Sequence, residues 1–193
     1  MLLALLAAHS GFAQPSYRQL IAQHREAYRE EFLKSPRSPL KENDLAKLTF
    51  YEPDSTYRVE AIVQRTPYEQ PFDLPTYDGQ KQPYVKYAIL TFQLHGKPQQ
   101  LAIYRSLQLA RVPQYRNYLF VPFKDNTNGK ETYGGGRYMD LQIGDIQAGK
   151  LVLDFNKAYN PYCAYSEGYA CPVPPAENGL NVAIQAGEKK YHD

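Results

Sequence analysis

The sequence predicts a mainly β (α+β) domain, a partly open β-barrel-like fold with an N-terminal helical segment packed on it. Three observations carry this. Short apolar runs recur at close spacing, each bounded by Pro, Gly, Asn or Asp, the pattern of sandwiches and barrels. Tyr is abundant, 18 copies against no Trp, and Pro reaches 15; aromatic side chains suit a pleated surface and Pro suits turns and edges. Helical periodicity is confined to the front of the chain.

Met1 to Ala13 is an apolar run too short to span a bilayer, and no transmembrane segment is expected after it. Gly11 and Ala13 ahead of Gln14 fit a secretory signal cut after Ala13, although the usual basic start is missing. A buried N-terminal helix is the alternative. Cleavage would leave residues 14–193 as a single domain, a length that supports one sizeable core. Export would place the mature protein in the periplasm or outside the cell, where disulfides persist.

Ser16 to Leu33 has helical spacing, with Leu20, Ile21, Tyr28 and Phe32 on a broad apolar face, Ser16 as cap, and Pro36 and Pro39 as stops. His24 on it is expected to be solvated. A second short helix is expected from Ser38 to about Ala46. Strands are expected over Leu48–Tyr51, Thr56–Arg65, Tyr84–Leu94, Gln99–Leu107, Asn117–Phe123, Gly136–Ile143, Lys150–Phe155 and Leu180–Ala186, with Pro67 to Gln82 a loop. His95-Gly96-Lys97 marks a hairpin tip.

A net charge of +2 gives no field that favours nucleic acid or an anionic membrane. The chemistry-bearing residues lie between Tyr118 and Asn178. Lys124 to Lys130 reads as a hairpin turn or a ligand-facing turn; Thr127 stands where a calcium loop wants Asp or Asn. Thr132-Tyr133-Gly134-Gly135-Gly136-Arg137 could form an anion nest with a guanidinium beside it, or a bulge whose Arg137 pairs with Asp125 or Asp154. Asp154 to Tyr165, continued by Cys171 to Asn178, holds both cysteines. Cys163 and Cys171 read as a disulfide, as free structural thiols, or with Cys163 as a nucleophile that lacks an obvious base. The scarcity of His disfavours zinc and a serine triad, so no metal or cofactor is expected.

The blocks Pro122–Leu141, Leu153–Tyr165 and Cys171–Asn178, with the ending Leu180–Lys189, resemble the bacterial and archaeal family called domain of unknown function 1684, from roughly Tyr17 to Lys189. The resemblance implies no known reaction or cofactor. Members resembling this one also occur without a signal peptide, which implies that a disulfide is not the sole use of the cysteines. The expectation is then a small-molecule binding domain whose two polar blocks converge on one pocket. Arg137 would hold an anionic or polar ligand, with Asp125, Thr127, Asn156 and Asn160 giving hydrogen bonds and Tyr133, Tyr159 and Tyr165 forming walls. The alternatives are a hydrolase or transferase using Cys163 or an Asp154–Glu177 acid–base pair, and a scaffold with no pocket chemistry. Reaction, ligand and oligomeric state are not set by the sequence.

Overall fold

The computed structural model describes residues 14–192, so the expected signal lies outside the described residues. Helix α1 (Tyr17–Lys34) opens with the expected cap: the Ser16 side chain accepts from the Gln19 N–H, and Gln19 returns the bond to the Ser16 N–H. Ile21 and Phe32 are its buried contacts. No described helix is long and apolar enough to cross a membrane.

Seven strands follow: β1 (Arg58–Arg65), β2 (Phe72–Pro75), β3 (Lys81–Leu94), β4 (Lys97–Ser106), β5 (Tyr118–Phe123), β6 (Arg137–Gln142) and β7 (Lys150–Asp154). All pairings are antiparallel, in the order β6-β5-β4-β3-β1-β7, with β2 added along β3. The sheet curls into a half-barrel with α1 packed on it. β6 and β7 do not pair, so the half-barrel stays open along the seam between them.

Period-two alternation gives the sheet two occupied faces. One carries the main core, with Leu90, Leu101, Ile103, Leu119, Val121 and Leu153 wholly buried, each stabilising by roughly 1.5–3 kcal/mol. A β-bulge between Lys86 and Ala88 re-aims β3. The other face is aromatic: Tyr84, Tyr104, Phe120 and Tyr138 pack there with Leu74 and Ala102. β4 and β5 share only the Tyr104–Phe120 register pair. Beside it Asn178 fills the gap, accepting from Ala102 N–H and donating to the Ala102 and Pro122 carbonyls.

Several expected elements differ. Leu48–Tyr51 is not a strand; Phe50 alone bridges to Glu188. The second helix is a 3-10 turn over Glu42–Lys47. β2 occupies part of the expected loop, because Pro75 sits on an edge that needs no further donor. The expected final strand Leu180–Ala186 has no ladder and bends at Asn181 and Val182. Its alternation is kept, with Leu180, Ile184 and Ala186 buried, but scattered backbone bonds to Lys124 and Asn126 and the side chains of Arg137 and Asp125 replace the missing neighbour strand.

Arg137 is the main one. It stands on the core face of β6 opposite Phe123 and is wholly buried. Its guanidinium donates to the carbonyls of Ile184 (2.8 Å), Ala186 and Glu188 (3.1 Å), and to Asp125 Oδ2 (2.9 Å). Asp125 Oδ1 in turn accepts from the N–H of Ile184 (3.1 Å), from the N–H of Thr127 (2.8 Å) and from its hydroxyl (2.6 Å). Two glycines make room for this. Gly136 has φ +97°, and a Cβ there would lie 2.6 Å from the Phe123 carbonyl. Gly187 has φ +79°, and a Cβ would lie 2.6 Å from the Ala158 carbonyl. Both positions require glycine.

Glu188 fastens α1 to the same segment. It is fully buried, and its carboxyl accepts from Tyr28 of α1 (2.9 Å), Tyr165 (2.6 Å) and the Asn160 N–H (2.8 Å). Burial pushes its pKa up to about 7, against the opposing pull of Tyr165, the Asn160 N–H and Tyr28.

Two outcomes are expected. Arg137→Met should lower the unfolding free energy by about 3–5 kcal/mol in chemical denaturation, since it strands Asp125 and three carbonyls in the core. Glu188 binds a proton more tightly folded than unfolded, so its contribution is complete below about 4.5 and is lost as pH rises through about 7. Comparing denaturation of the wild type with Glu188→Gln across that window should therefore show the wild type losing about 3 kcal/mol relative to the variant. A flat difference would assign the protonation elsewhere.

Candidate functional site

Where the half-barrel fails to close, a cleft of about 1160 Å³ runs between the edges of β6 and β7 with α1 along it. Ala27 and Tyr28 of α1 line one side, Tyr138 and Asp140 of β6 another, and Leu153 and Asp154 close β7's end. The chain after β7 returns to cover the β6 edge: Tyr138 and Tyr159 exchange both backbone hydrogen bonds, at 2.9 and 3.0 Å. That bridge places the Tyr159 ring in the cleft, 5.9 Å from the Tyr138 ring and perpendicular to it. The Cys171–Pro172 turn completes the wall, and the Tyr138 hydroxyl donates to the Pro172 carbonyl.

Asp140 is the polar centre of one end. Register pairs it with Phe120 on β5, which puts its carboxyl on the aromatic face. Tyr118 (2.8 Å) and Tyr159 (2.7 Å) both donate their hydroxyls to Oδ1. Among the described residues Oδ2 receives no hydrogen bond and no Lys, Arg or His lies within 4 Å of the carboxyl. By surface area Asp140 is exposed, on the lining of the cleft. Crowding governs the desolvation of a charge at the bottom of a concavity, so its carboxyl is pushed up, with the two phenols pulling back. Burial and then the Asp140 charge hold both phenols protonated, far above their ordinary range.

The other end centres on Asp154. Its carboxyl accepts from Tyr17 of α1 (2.9 and 3.1 Å) and from the backbone and side-chain nitrogens of Asn156 (3.1 and 3.0 Å). His24, Arg58 and Lys157 line the cleft as well. Burial and the neighbouring Lys157 hold the His24 imidazole below its usual pKa, so this histidine is a cleft residue where the helix pattern predicted a solvated one.

The structure separates the residues that the sequence grouped. Tyr159 and Asp154 line the cleft. Arg137, Asp125 and Thr127 are locked in the core, so the guanidinium spends its fork on Asp125 and backbone carbonyls, as in the alternative of an Arg137–Asp125 pair; of the glycine tract, Gly136 serves that packing. Asn156 clasps the backbone of Asp54 (2.9 and 2.8 Å), and Asn160 donates to the Lys189 carbonyl (2.8 Å). Tyr165 is buried on Glu188, and Tyr133 is absent from the cleft lining. Glu177 also lies outside the lining, bonded to Lys86 (2.7 Å) and Tyr104; it forms no acid–base pair with Asp154. Cys163 and Cys171 sit at disulfide distance with Cα atoms 6.3 Å apart. A disulfide there pins the loop whose far end forms the cleft wall.

Asp140, Tyr138, Tyr118 and Tyr28 were not singled out from the sequence. The signal existed for two of them: alternation through Arg137-Tyr138-Met139-Asp140 puts Tyr138 and Asp140 on the face opposite Arg137 and Met139.

No curated protein matches the chain. It is similar to the solution NMR structure of an uncharacterized protein from gene locus rrnAC0354 of Haloarcula marismortui, at 38% identity, covering 87% of this chain and 93% of that one, with a TM-score of 0.65. The model of the family described as protein of unknown function (DUF1684) matches residues 43–189, all seven strands and both polar blocks included. α1 lies ahead of that match. The chain therefore belongs to the DUF1684 family.

Proposed function

We propose that this chain is a small-molecule binding domain whose ligand occupies the seam cleft. The observation that carries this is Asp140, a carboxylate lining a cleft beside tyrosines, with one oxygen held by two phenols and the other without a hydrogen bond among the described residues. Few convergent polar groups among aromatic walls are what orient a ligand, and the volume is on the scale of such sites. Of the anionic or polar ligands expected from the sequence, the cleft favours the polar. With Arg137 engaged inside the core, the Asp140 end selects hydrogen-bond donors, not anions. Export after Ala13 into the periplasm or beyond is part of the same proposal.

One observation favours a second reading. A carboxyl whose pKa is raised by crowding beside two phenols is an environment suited to general acid–base work. A hydrolase or transferase would then use Asp140, because Glu177 is remote from the cleft and Cys163 is paired with Cys171.

Ala27→Trp tests the location. Ala27 lines the cleft from an exposed position on α1, so the indole should fill the cleft while costing the helix only a few tenths of a kcal/mol. Ligands found in an NMR screen of a polar metabolite library should lose at least about tenfold in affinity, with the melting temperature nearly unchanged. Undiminished binding to the variant would place the site elsewhere.

A further inference from the structure

The chemistry of the Asp140 corner specifies more than a polar ligand. Three features coincide there. The carboxylate has no cationic neighbour within 4 Å among the described residues, whereas Asp125 in the core is neutralised by Arg137 at 2.9 Å. Its Oδ1 accepts from Tyr118 and Tyr159, and Oδ2 has no donor among the described residues. Two phenol rings, Tyr138 and Tyr159, border the cleft as an edge-to-face pair with centroids 5.9 Å apart. Aromatic rings beside a cation site add an electrostatic attraction, and the Asp140 carboxylate adds its charge to it.

Resting on the seam-cleft reading, we propose that the Asp140 corner binds the protonated amine of a small organic ligand, an alkylammonium that still carries N–H. The N–H requirement follows from the bare Oδ2, which a primary ammonium can satisfy and a quaternary one cannot. The methylenes next to the nitrogen lie against Tyr138 and Tyr159, and the rest of the ligand extends along the cleft toward α1. Arg58 and Lys157 line the cleft as well, and in this arrangement they meet the ligand's far end and not its amine.

The test uses isosteric probes on the full chain at neutral pH: benzylamine, benzyl alcohol, benzoate and benzyltrimethylammonium, each titrated to millimolar concentration and followed by NMR shifts of Tyr138, Asp140 and Tyr159. Benzylamine is expected to bind about tenfold more tightly than benzyl alcohol, with benzoate weakest and the quaternary probe weaker than benzylamine. Asp140→Asn should abolish the preference for benzylamine over benzyl alcohol. Should that variant fold poorly, the charge series on the wild type decides alone. Equal binding of amine and alcohol, or tighter binding of benzoate, overturns the ammonium inference and leaves the cleft reading standing. Tighter binding of the quaternary probe overturns the N–H requirement. No shift at these three residues with any probe overturns the ammonium site, and loss of the cleft reading itself would show separately, as ligand binding that Ala27→Trp leaves intact.

Discussion

A buried guanidinium organises this protein. Arg137 reaches from the start of β6 to the carbonyls of Ile184 and Glu188 and to Asp125, with no surface left for solvent. Removing a charge from water costs several kcal/mol, and only a nearly complete set of partners offsets it. Arg137 and its partners come from three parts of the chain, so the pair is satisfied only once the turn after β5, the start of β6 and the C-terminal segment have met. The glycines at 136 and 187 belong to the same constraint, since any side chain at either would push these backbones apart.

That constraint explains why the half-barrel stays open. The C-terminal segment is held by Arg137, Asp125 and scattered backbone bonds, and does not continue the sheet past β6. Its ending, Glu188, instead offers a buried acceptor to Tyr28, and α1 docks along the seam. The cleft is therefore a by-product of how the chain solves its backbone hydrogen bonds: two strand edges that do not meet, one bridged by Tyr159 and both overlain by a helix.

The tyrosines divide the labour. Tyr28 and Tyr165 deliver hydroxyls to the buried Glu188, with their rings packed on Phe50 and Phe32. Tyr118 and Tyr159 do the same for Asp140, in the open. Phenols solve the same problem twice, stabilising a carboxylate without a cation, and only the second instance faces a space where a ligand can complete the set.

The sequence by itself determined a β-rich, partly open barrel behind a capped amphipathic helix, because period-two and period-3.6 patterns and the Ser16 cap are local properties. It determined the β3–β4 hairpin, and through the motif blocks it determined the family. It located the polar blocks, but not what they were for. Whether Arg137 meets a ligand or Asp125 depends on which groups surround it, and the carbonyls that do lie some fifty residues away in sequence. The final strand was misread for the same reason: its alternation is genuine, but side chains took the place of its partner strand. Asp140 passed unnoticed because a lone Asp after Met139 looks like any solvated strand residue. Only the curl of the sheet, which brings Tyr159 back across the β6 edge, turns it into the floor of a cleft.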